Sequence, residues 1–149
     1  MDTAIRPLLS LEASVGLMLA MYAGSGVLKV VALGDTEVPR FQQKVRNLLG
    51  LELPDGLSQA IIFAAGIWEI AGVAAIARGM YVGNTRYVDR GANALVVFTV
   101  LATAIFYVGP NWKPMAFMAN MTATAALLMI SPAARDKYDE GDRPPPLFF

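Results

Sequence analysis

The 149-residue chain contains neither cysteine nor histidine. Without them there are no disulfides, no thiolate nucleophile, no His-ligated zinc or haem, and no catalytic triad that uses imidazole as its base. Charge is scarce as well. Charged residues make up 16% of the chain, against roughly 25% in a soluble domain. Twelve Lys and Arg balance twelve Asp and Glu. A chain with no basic excess lacks what a nucleic-acid binder needs to neutralise phosphates. No cluster of metal-ligating residues is visible, so neither a metal nor a resident cofactor is expected. What the chain does have is apolar surface: 56% of its residues are hydrophobic, and its mean hydropathy is +0.49.

That apolar content is concentrated in four stretches long enough to cross a hydrocarbon layer, which takes about 20 residues of helix. They run over residues 8–33, 57–78, 91–109 and 115–131. Gly34 is placed to stop the first, Pro110 closes the third, and Pro114 and Pro132 bound the fourth. The expected fold is therefore an all-α integral membrane four-helix bundle, occupying residues 1–131, with a tail over residues 132–149. The first stretch begins after Asp2 and carries Glu12, so it reads as a span and not as a cleaved signal peptide.

Four spans put both termini on one side. Seven basic residues fall on that side (Arg6, Arg78, Arg86, Arg90, Arg135, Lys137 and Arg143). Arg40, Lys44, Arg46 and Lys113 fall on the other. The positive-inside rule then sets both ends toward the cytoplasm, matrix or stroma, and a mitochondrial inner membrane is the first location to consider. Between spans one and two, Val38, Phe41, Val45, Leu48 and Leu49 recur at helical spacing against a polar face. This predicts a short amphipathic helix over residues 39–49, lying in the interface or capping the bundle. The tail holds a run of mixed charge, three prolines, and then Leu147, Phe148 and Phe149. It reads either as disorder or as a segment that docks on a partner.

Helices in a bilayer associate by close packing and polar contacts. Small residues suited to that packing are Gly16, Ala20 and Gly24 in span one and Gly66 and Gly72 in span two. The methionines of span four read as packing filler. One acid, Glu69, lies near the middle of span two. It is expected to face inward, because an exposed acid there costs about 2.5–3.5 kcal/mol. Lys29 is the obvious counter-ion, but if every helix is centred in the bilayer it stands about 13 Å from the midplane, so a direct pair requires Lys29 to reach inward or span one to kink near Gly24-Ser25-Gly26. The closer matches in depth are Thr99, Thr103, Asn120 and Thr124, which would satisfy the carboxyl without a second charge. On that arrangement Glu69→Gln is tolerated and Glu69→Leu is not. Two roles remain open for Glu69: structural glue between helices, or, together with Tyr107, a contact for a quinone head group or lipid.

Gly26-Val27-Leu28-Lys29, followed by Gly66-Ile67-Trp68-Glu69-Ile70-Ala71-Gly72, resembles the G-x-x-K and G-x-x-E-x-x-G of DoxX-like membrane proteins. The Lys113-Pro114 turn and Asn120 in a fourth helix are similar too. The resemblance covers residues 11–131, and the amphipathic first loop looks like the receptor-chaperone branch. It implies a compact four-helix membrane bundle. Members serve as subunits of a thiosulfate:quinone oxidoreductase, as receptor chaperones or as cargo receptors. Many relatives carry a histidine late in the third helix, where this chain reads Phe106-Tyr107-Val108, so imidazole-dependent chemistry is not implied. The expectation is a non-catalytic accessory subunit or assembly factor, with the lipid bilayer and other membrane subunits as partners. A respiratory or photosynthetic complex is a plausible host. The alternative is a membrane subunit of a quinone-linked oxidoreductase whose redox centre lies in another chain.

Overall fold

A computed structural model describes residues 11–32 and 37–139 of the chain. The described residues form five α-helices and one 3₁₀ turn: α1 (Leu11–Val31), α2 (Val38–Leu49), α3 (Asp55–Val82), α4 (Thr85–Tyr107), the 3₁₀ turn (Gly109–Asn111) and α5 (Pro114–Asp139). Helices α1, α3, α4 and α5 are long and apolar enough to cross a membrane. Backbone amides cannot be left unpaired in hydrocarbon, and helices satisfy them internally. The all-α bundle expected from the sequence is thus the observed fold.

The helices pack in series, α1 on α3, α3 on α4 and α4 on α5, while α1 and α5 barely touch. Close approach is set by glycine, though not by the whole expected set. A Cβ added at Gly66 would lie 2.8 Å from the carbonyl oxygen of Gly26, and one at Gly91 would lie 2.7 Å from that of Gly72. Backbone cannot yield at such distances, so α1–α3 and α3–α4 both meet through paired glycines. Gly66 and Gly72 act as expected. Gly16 and Gly24 do not, since nothing among the described residues stands within 4 Å of a Cβ at either position. Ala20, on the same stripe, is also exposed. That stripe lies on the outer face of α1, because the inner face is taken by Val15, Leu19 and Tyr22.

A first apolar core joins those three residues to Ile76, Val88, Ala92, Leu95, Leu127, Ile130 and Ala134. Helix α5 contributes its last turns to this core and continues through Pro132 to Asp139, past the expected end at Ser131. Proline removes one backbone donor from a helix. Here Pro132 faces outward, while Ala134 is fully buried on the opposite side and the Tyr138 hydroxyl donates to the Met80 carbonyl at 2.9 Å. Arg135 also pairs with Asp89 of α4 at 2.5 Å. These contacts outweigh the broken backbone bond and carry the helix beyond the proline.

At the other end a second core forms from Val38, Phe41, Val45 and Ile62, with Leu53, Ile105 and Phe106 packed against it. The amphipathic helix α2 thus caps its own bundle, starting one residue before the expected bound. Gly50 in the left-handed region (φ 66°) ends it. The side-chain amide of Gln42 then donates to the Leu53 carbonyl and to Asp55 Oδ1, fixing α2 to the start of α3. Leu147, Phe148 and Phe149, at the end of the tail that reads either as disorder or as a docking segment, lie outside the described residues.

Candidate functional site

Glu69 stands at the middle of α3, fourteen residues from Asp55 and thirteen from Val82. It is 2% exposed, so it faces inward as expected. Of the two sets of partners the sequence offers, it takes the lysine and not the hydroxyl and amide groups. Lys29 Nζ lies 2.6 Å from Glu69 Oε2 and donates a second bond, also 2.6 Å, to Ser25 Oγ. Ser25 Oγ in turn donates to Glu69 Oε2 at 3.3 Å. The ammonium also sits 5.1 Å from the centre of the Phe98 ring on α4, where the negative face of the ring favours a cation.

Two geometric facts bring Lys29 inward. First, α1 is not centred on α3. Gly26 packs on Gly66, after which α1 ends in five residues, whereas α3 extends eleven residues beyond Gly66 in that direction. The difference leaves the end of α1 roughly 9 Å short of the start of α3. Second, helical side chains lean toward their own N-terminus. In this antiparallel pair the Lys29 and Glu69 side chains therefore lean toward each other. Helix α1 is continuous through Gly24-Ser25-Gly26, so no kink is needed.

The hydroxyl and amide residues proposed as partners for Glu69 form a separate chain. Thr99 Oγ1 donates to the Leu95 carbonyl at 2.7 Å, which leaves the Tyr22 O–H to donate to Thr99 Oγ1 at 2.8 Å. Thr103 Oγ1 donates to the Thr99 carbonyl at 2.6 Å and accepts from Asn120 Nδ2 at 2.9 Å. Thr124 Oγ1 donates back to the Asn120 carbonyl at 2.8 Å. None of these four sequence-singled residues bonds Glu69 among the described contacts. They link α1, α4 and α5, whereas the ion pair links α1 and α3.

Tyr107 is not brought to Glu69. With Gly91 and Leu95 packed on Gly72, Tyr107 falls about ten residues along α4 from the level of Glu69, on the order of 15 Å. It sits beside Phe106, with ring centres 6.4 Å apart, at the end that α2 caps. Tyr22 and Ser25 join these networks although neither stands out by hydropathy. Their signal was present: Tyr22, Ser25 and Lys29 recur at i, i+3 and i+7, one polar stripe on an apolar helix. Trp68 is a third such residue. Its indole N–H donates to the Ala94 carbonyl at 2.9 Å and ties α3 to α4 on the outer surface. No group of three or more metal-ligating side chains occurs among the described residues. Comparison with family models, curated proteins and solved structures found no match to the chain.

Proposed function

We propose that this protein is a non-catalytic accessory subunit or assembly factor of a larger membrane complex. The observation that carries this reading is the closure of its intramembrane polar groups on one another. Glu69 is taken up by Lys29 and Ser25, and Tyr22, Thr99, Thr103 and Asn120 by each other. Groups spent on joining helices are not aimed into a reaction site. The outer face of α1, where Ala20 is exposed and no described residue stands within 4 Å of a Cβ at Gly16 or Gly24, supports close approach of a helix from another subunit. The resemblance to DoxX-like proteins fits an accessory role. The alternative quinone-linked subunit has less support, because its two named residues stand apart.

Mild-detergent extraction of the native membrane followed by sizing tests the proposal. The expected result is migration in a particle much larger than 16.0 kDa plus its micelle. Recovery only as a free bundle would overturn it.

A further inference from the structure

A groove of about 580 Å³ runs along the outer surface between α3 and α4, within the roughly 300–1,000 Å³ typical of ligand sites. Its floor is made of small residues, Ala71, Ala75, Gly91 and Ala94, and its walls include Phe63 and Trp68. The Trp68 ring is held across the groove by its bond to the Ala94 carbonyl and remains 48% exposed. Arg90 is the one charged residue among the described residues that lines the groove.

The arginines near this groove differ from the others. Six arginines fall in the described residues. Arg40, Arg46 and Arg135 pair with Glu37, Glu52 and Asp89. Arg78, Arg86 and Arg90 meet no carboxylate among the described residues. Arg86 precedes Arg90 by one turn on α4, and Arg78 follows Ala75 by three residues on α3, so both continue the stripes that line the groove. Arg78 is braced over the Tyr87 ring at 5.5 Å. Side chains on α4 lean toward Thr85, the end at which α4 leaves the membrane, so Arg90 reaches toward the headgroup layer.

An open groove in a lipid-facing surface loses dispersion contacts unless something flexible and apolar fills it. An occupant that fits must also bring negative charge to one end. We propose that the groove holds an acyl chain of an anionic phospholipid, with its phosphate at Arg90 and flanked by Arg78 and Arg86. Arginine suits this task, since its planar fork matches phosphate oxygens.

Trp68 provides the reporter. The chain has two tryptophans, so Trp112→Phe leaves Trp68 alone. This protein is reconstituted in phosphatidylcholine vesicles containing a fixed minor fraction of brominated phosphatidylglycerol or brominated phosphatidylcholine, and Trp68 quenching is read. Brominated phosphatidylglycerol is expected to quench more strongly and to saturate. Arg90→Gln is expected to lower the relative affinity roughly fivefold, while Arg90→Lys retains most of the preference. Ala71→Phe, which fills the floor, is expected to relieve quenching by both lipids. Circular dichroism and gel filtration show whether each variant still folds. Equal quenching by the two lipids in the unsubstituted groove would overturn the proposal, as would a preference unchanged by Arg90→Gln. Absence of quenching by either lipid would also overturn it and would indicate protein in the groove. The mass of the detergent particle then shows whether that occupant is a second copy of the chain.

Discussion

At the scale of single residues, the acid at the centre of α3 is compensated within one turn of α1. Lys29 supplies the charge and Ser25 a further donor, both at hydrogen-bonding distance. This changes what substitution should do. Glutamine is no longer a mild replacement, because it leaves the Lys29 ammonium, 21% exposed, without a counter-ion. Glu69→Gln and Glu69→Leu are both expected to lower stability by about 3 kcal/mol, the low end for breaking a buried pair. The double variant Lys29→Met with Glu69→Leu is expected to recover most of the loss, since an apolar pair of similar volume carries no desolvation cost. Unfolding in mixed micelles with SDS measures all three. A fully stable Glu69→Gln protein would show that the ion pair contributes little. Tyr22→Phe removes only one neutral hydrogen bond between α1 and α4, and about 0.6 kcal/mol is expected in the same assay.

At the scale of the helices, close contact depends on where glycine sits and not on how regularly small residues recur. Gly16, Ala20 and Gly24 have the more regular spacing, yet α1 turns that stripe outward and approaches α3 through Gly26. Spacing reports that a face is smooth. It does not report which face the remaining side chains will bury, and here Val15, Leu19 and Tyr22 decide that. Gly66→Ala is expected to cost about 1–3 kcal/mol by overpacking against the Gly26 carbonyl. Gly24→Ala, into open space, should leave unfolding in micelles unchanged or slightly favour helix. Equal effects from the two substitutions would contradict this packing. The end of α5 teaches a similar lesson. Pro132 and the charges after it are local stop signals, and by themselves they mark the start of a tail. Ala134, Arg135 and Tyr138 find partners on α3 and α4, which no local signal reveals.

For the whole molecule, the sequence sufficed for the number of spans, the capping helix and the inward orientation of Glu69, because all three follow from hydropathy and period. Lys29 is legible as a counter-ion, but the choice of Glu69 between it and the hydroxyl and amide groups is not. It depends on an axial offset between α1 and α3 that only the glycine contact sets. The two ends of the bundle also differ in charge, and the absence of cysteine makes that testable without background labelling. Single cysteines at Tyr81, 92% exposed, and at Leu51, 54% exposed, should react with a membrane-impermeant maleimide from opposite sides. The Tyr81 end, with Arg78, Arg86 and Arg90, should be the one on the cytoplasmic or equivalent side. Labelling of both from one side would contradict a four-span arrangement.

The bond between positions 29 and 69 has a bearing on biogenesis. Forty residues of chain separate the two partners, so the lysine-bearing helix leaves the ribosome well before its acid does. Each segment is apolar enough to cross a membrane, yet each carries one charge that costs free energy in acyl chains until the other meets it. Entry of the two helices into the lipid as a hairpin, with their charges already joined, would spare each the cost of exposing a lone charge to acyl chains.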